Sequence, residues 1–222
     1  MIHAAVAGPT PFLLAGPVRG LFTEVPPLLA SLDGFRPSAV GVGLSPEELG
    51  GLAEHFAGRA AEPLVPLTEN ETAEVHGLCR FGEVRIPNPS VVALLEWAGG
   101  TGVPVEGLDP SDEEYAGLFT EHVGYLELVG RTLRERRLTR TPPTAATADE
   151  FAVRWHGQVG DGRGSQALAD ARDRAFVRAA RALTARAGRV ALVVDRERYD
   201  GVLSRLSENG APGGAVGPHR TA

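Results

Sequence analysis

The chain contains no lysine, so all 22 basic side chains are arginine. That bias reads first as a GC-rich coding preference. It also means that every cation except histidine is a planar guanidinium that stays charged near neutrality and suits planar anions. Cysteine is nearly absent. Cys79 stands alone, which excludes an internal disulfide framework and a cysteine-based zinc knuckle. A lone cysteine of this kind reads as a small buried hydrophobe. No apolar run approaches the roughly 20 residues that a membrane-spanning helix needs. The opening MIHAAVAGPTPFLLAGPVRG has no basic start, and Pro9 and Pro11 interrupt its apolar residues, so a signal peptide is not expected. A soluble, cytoplasmic protein with no membrane partner is the expectation. The net charge of −6 argues against nucleic acid as a partner.

Several catalytic signatures are missing as well. There is no Walker A loop, no H-E-x-x-H and no G-x-S-x-G elbow. Gly41-Val42-Gly43 begins like a dinucleotide fingerprint, but the third glycine falls at Pro46, so that motif fails.

What remains is a pattern of short apolar strands alternating with capped helices. Phe12–Gly16, Ala39–Val42 and Val190–Val194 read as buried strands, with Pro63–Leu67 and Val103–Leu108 as shorter ones. Leu21–Leu32 has helical spacing with Pro26 and Pro27 in its first turn. Ser45-Pro46-Glu47-Glu48, Thr68–Glu71, Ser111–Glu114 and Thr147–Glu150 are capping boxes that start helices. Ser90 reads as a further cap, and Glu83–Ile86 as extended. The box at Ser111 predicts one long helix to about Leu138, with Tyr115, Leu118, Phe119, His122, Leu126, Val129 and Leu133 as its buried stripe. After the Thr- and Pro-rich 139–148 segment, a helix carries Phe151, Val153 and Trp155. The next helix pairs Asp170 with Arg174 on its outer face.

This order predicts an α/β fold: a small central, mostly parallel sheet flanked by helices, with a helical insertion or lid at about residues 111–188. A single domain over 1–208 follows from the length. The Gly- and Pro-rich 209–222 tail is expected to be disordered.

In such folds, binding and chemistry sit where strands end and helices begin. The loops Gly16–Arg19, Gly43–Ser45 and Asp195–Arg198 would then share one rim. Arg19 and Arg198 bring two permanent cations there, which must be neutralised by Asp195, Glu197 or Glu24, or by a ligand. Trp155-His156 reads as an amphipathic anchor under the lid. The arginines between Arg131 and Arg140 read as a solvated helix end. Glu69, Glu71 and Glu74 precede His76, and carboxylates with imidazole can hold a divalent metal.

FLLAGPVRGLFTEVPPLLASL, RPSAVGVGLSPEELGGL and ADARDRAFVRAARAL followed by GRVALVVDRERYDGVLSRL resemble three motifs of the TraB/PrgY family, which is related to Tiki and erythromycin-esterase/ChaN-like proteins. The likeness covers roughly the first 50 and last 45 residues, with a looser match near VPVEGLDPSDEEY. It implies an α/β scaffold with a metal-dependent hydrolytic site built on histidine and glutamate. At those positions this chain has Arg19 for the first motif histidine, Gly43 for the glutamate, and Asp195 and Arg198 for the second motif's glycine and histidine. Arg172 and Asp173 of the third motif are kept. A guanidinium cannot ligate a metal, and glycine supplies no base.

The resemblance therefore implies a degenerate TraB-like domain that has lost hydrolysis. It would bind a small anionic ligand through Arg19, Arg198, Asp195, Arg172 and Asp173, or act as a regulatory module on a protein partner. A homo-oligomer stays open, and no cofactor is expected. The alternative is a metal-dependent hydrolase with relocated machinery. It would hold a divalent ion through Glu71, Glu74 and His76, with Glu69 or His122 nearby.

Overall fold

The computed structural model describes residues 12–58 and 67–208, and the backbone of 3–7. The first strands are β1 (His3–Ala7) and β2 (Phe12–Gly16), followed by a 3-10 turn at Phe22–Glu24, α1 (Val25–Phe35) and β3 (Ala39–Val42). Three helices come next: α2 (Pro46–Phe56), α3 (Glu69–Leu78) and α4 (Pro89–Thr101). Then β4 (Val105–Gly107) leads into α5 (Asp112–His122), α6 (Tyr125–Arg140), α7 (Ala148–Val159) and α8 (Arg163–Ala187). The order ends with β5 (Val190–Val193) and α9 (Arg196–Glu208). Of the expected strand Pro63–Leu67, residues 63–66 lie outside the described residues and Leu67 is not in a strand; the 209–222 tail also lies outside them.

The strands form one sheet in the order β1-β2-β5-β3-β4. β2, β5, β3 and β4 are parallel, and β1 joins β2 antiparallel at the edge. The fold class is the one the alternating pattern implied. The central strands are apolar throughout because both faces are covered. Phe12, Leu14, Val190 and Leu192 pack under Phe176, Val177, Ala180 and Leu183 of α8 and under Tyr199 and Val202 of α9. On the other face, Leu13, Ala15, Val40 and Ala191 meet Leu28, Leu32, Leu49, Val91 and Leu94 from α1, α2 and α4.

A third core caps the carboxyl ends of the strands. Val18 and Leu21 from the loop after β2 pack with Leu78, Leu138, Phe151, Trp155 and Val159. The Phe151 and Trp155 rings stack with centroids 5.6 Å apart. The region 111–188 is helical as expected, but α8 is itself a sheet layer, so the cap proper is built by α3, α6 and α7.

The capping boxes at Ser45, Thr68 and Ser111 are each reciprocal, with the side chain accepting from the third residue's N–H and that residue's carboxylate accepting from the cap's N–H. Three local expectations need correction. Asn88, not Ser90, caps α4, accepting from the Ser90 N–H at 3.2 Å. Cys79 is exposed rather than buried. The long helix is two helices, broken at Val123-Gly124.

The α6 part of the stripe expected to be buried is also turned outward, with Leu126 84 % exposed and Leu133 60 %, while Leu118, Phe119 and His122 of α5 are half-buried. The reason is polar. Glu127 accepts from the Gly164 and Ser165 N–H groups at the start of α8, and Arg134 donates to the Val159 carbonyl at the end of α7. Satisfying those helix ends orients α6 with its charged face inward. Glu83–Ile86 is extended, with one bridge from Val84 to Leu21.

Candidate functional site

The sheet's connections define where a site belongs. β2 runs into α1 on one face, whereas its neighbour β5 runs into α9 on the opposite face. Chains leaving adjacent strand ends in opposite directions open a crevice, which is the usual ligand position in open parallel sheets. The strand pairing continues past the strands and sets the rim. The Arg196 N–H donates to the Pro17 carbonyl at 3.0 Å, the Gly43 N–H to Val193 at 2.9 Å, and the Asp109 N–H to Leu44 at 3.1 Å. Arg19, Asp195–Arg198, Gly43 and Asp109 are thereby lined up along one edge.

At the β2–β5 end, the cap adds side chains from α3 and α7. His156 of α7 places Nε2 2.8 Å from Glu74 Oε1 of α3 and 3.6 Å from Glu197 Oε1 of α9. Burial alone would lower the His156 pKa. Glu197, the hydrogen bond and charge of Glu74, and Asp195 outweigh that and push it up to about 9, so the ring is an imidazolium at neutral pH. Asp195 is pushed up to about 6, chiefly by burial and then by Glu197, against the pull of Arg19, Arg198 and His156. Arg19 reaches in half-exposed, 3.9 Å from Glu71. The acids around it, Asp195 first, hold its charge firmly against the cost of burial. Here Arg19 and His156 face Glu71, Glu74, Asp195 and Glu197, so the crevice is acidic on balance. The Glu197 Oε2 is buried with no hydrogen-bond partner.

The β5–β3 end is built differently. Arg198 donates from Nε to Asp173 at 3.0 Å and from Nη1 to Asp109 at 2.8 Å. Arg172 also binds Asp109. Arg205 stands 3.7 Å from Asp173. Burial is opposed by Asp109 and then Asp173, and the Arg198 pKa rises further. Gly43 completes the seat: a Cβ there would lie 3.1 Å from Arg198 Nη1 and 3.4 Å from Val194 Cγ1. The glycine leaves room for the guanidinium.

The five residues singled out for an anion site are thus all at this edge, but in two groups. Asp195 and Arg19 line the first, and Arg198, Arg172 and Asp173 belong to the second. Arg19 and Arg198 both act on Asp195; the charge of Arg19 is held by Asp195, Glu74, Glu197 and Glu71, and that of Arg198 by Asp109 and Asp173. The set Glu71, Glu74 and His76 does not assemble. Glu74 is buried against His156, Glu71 caps α3, and His76 is exposed on the other side of that helix. Residues two apart on a helix point in different directions. Among the described residues no group of three or more His, Cys, Asp and Glu could hold a metal ion. His122 ends α5, and no described helix is long and apolar enough to cross a membrane.

Sequence reasoning missed the Glu74–His156–Glu197 contact and the role of Asp109. Its one available signal was His156 directly after the core Trp155, at the margin of an apolar face. A scan against protein-family models and a search of curated proteins both give no match for this chain.

Proposed function

We propose that this chain is a non-hydrolytic binding module on a TraB-like scaffold, with its ligand in the β2–β5 crevice. The observation that carries the reading is the seat of Arg198 over Gly43, locked between Asp109 and Asp173. Where the family resemblance implies a histidine and a glutamate, a guanidinium fills the space. It can neither ligate a metal nor act as a base. The neighbouring crevice supplies the recognition. Arg19 offers a half-exposed cation to a ligand's carboxylate or phosphate, and Glu197 offers an unsatisfied oxygen to a donor. A small ligand with an anionic group and an ammonium meets both needs. The anionic group alone would meet a surplus of carboxylates.

Calorimetric titration with free amino acids, their N-acetyl derivatives and their carboxamides tests this. Binding is expected for zwitterions, weaker for either blocked form, and lost in Arg19→Ala. Equal binding by Arg19→Ala, or no binding across the set, overturns it.

One observation favours a second reading, a hydrolase with relocated machinery. Asp195, raised to about 6 beside the His156 imidazolium and Glu197, is a carboxylate whose proton affinity lies near working pH, as a general base requires. Turnover of ester or phosphoester substrates that disappears in Asp195→Asn would select it. The interaction form of the module would use the exposed face of α6, where Tyr125, Leu126 and Leu133 stand free.

A further inference from the structure

Away from the rim, α8 and α9 enclose a groove of about 490 Å³ on the outer side of the sheet, lined by Arg174, Arg178, Arg181, Ser204, Arg205 and Glu208. Arg174, Arg178 and Arg181 follow one another at steps of four and three, so they form a single stripe along α8. The sequence pattern pairs Arg174 with Asp170. The structure gives Asp170 to Arg205 of α9 instead, at 2.6 Å. That exchange leaves Arg174 and Arg178 exposed, with no ion pair among the described residues. Arg181 crosses to α9 and donates to the Arg205 carbonyl at 2.9 Å, which fixes one side of the groove. Glu208, the acid in the lining, bonds the Ser204 hydroxyl at 3.1 Å. Like charges four apart destabilise a helix, so the stripe persists against a local cost in a chain whose net charge is −6.

We infer that this groove binds a small molecule through two or more linked phosphoryl groups. Its volume is that of a metabolite site rather than a macromolecular surface. Guanidinium forks match phosphate oxygens in pairs of parallel hydrogen bonds. A di- or triphosphate presents enough oxygens to pair with the forks of both Arg174 and Arg178, which stand about one helical turn apart, more completely than a single phosphate does. Among the described residues no aromatic side chain lines the groove, and Val177 is its apolar residue. Nothing there stacks a base, so recognition falls on the polyphosphate itself. The site is separate from the crevice around Arg19 and does not depend on the reading of that crevice.

Isothermal titration of the full chain with sodium tripolyphosphate, pyrophosphate, orthophosphate and citrate tests the inference, against the double variant Arg174→Ala/Arg178→Ala. Both residues are exposed and outside the core, and circular dichroism checks that the fold is kept. Tripolyphosphate is expected to bind best, with affinity falling as salt rises. The double variant is expected to weaken it by about tenfold or more, two charge-assisted contacts being lost at an exposed site. Arg19→Ala is expected to bind it like the wild type. Equal affinity in the double variant, citrate binding as tightly as tripolyphosphate, or no heat with any phosphate overturns the inference.

Discussion

Replacing His156 by glutamine isolates the charge in the capped crevice. Glutamine keeps a donor for Glu74 but carries no proton that titrates. In the folded chain the imidazolium persists to about pH 9, whereas an unfolded histidine loses its proton near pH 6.5. A folded-state value above the unfolded one stabilises the fold below the unfolded value, and that stabilisation is lost as pH rises through the folded value. A shift from 6.5 to about 9 corresponds to about 3 kcal/mol at the acidic end. Wild type should therefore exceed His156→Gln in stability most at about pH 6, with the gap closing by about 3 kcal/mol by roughly pH 9 to 10.

Urea denaturation of both proteins across that range measures it. Asp195 adds a slope of the same sign at lower pH. Its folded value, raised to about 6, costs stability as pH climbs from the ordinary aspartate range through about 6. Subtracting the variant removes most of that slope. A wild-type and variant pair whose curves run parallel from acid to base would refute the imidazolium and its carboxylate partners.

Arg198→Ala leaves buried Asp173 to Arg205 at 3.7 Å and buried Asp109 to Arg172, so a loss of about 3 kcal/mol in unfolding free energy is expected. An unchanged denaturation midpoint would show the rim network to be idle. Gly43→Ala should cost about 1–3 kcal/mol by overpacking against the guanidinium. In an Arg198→Ala background that cost should shrink, and a double-mutant cycle with no coupling would dissociate the glycine from the arginine.

The residues that could be read in advance are those whose reasons are local. β2, β3 and β5 announce themselves because strands covered on both faces must be apolar at every position. The caps at Ser45, Thr68 and Ser111 follow from a hydroxyl and a carboxylate three residues apart, a geometry complete within one turn. The stripe on the helices after Ser111 shows where such logic stops. Its spacing is sound, but the face that docks is chosen by the free N–H groups of Gly164 and Ser165 and the Val159 carbonyl, which Glu127 and Arg134 reach across the fold.

The same applies to the site. Arg19, Asp195 and Arg198 are legible because strand ends of a parallel sheet share an edge. Glu74 and His156, by contrast, lie 82 residues apart, and no periodicity joins them. Asp170 is the clearest case. Arg174 stands four residues away on the same helix, an exposed pairing worth only about 0.3–0.5 kcal/mol. Arg205 lies 35 residues away and is already fixed by the Gly201 carbonyl and Asp173. A guanidinium held in place loses less conformational freedom on pairing than one on an open face. The tertiary partner therefore wins over the local one, and the arginine left without an acid becomes the part of the surface that can take a ligand.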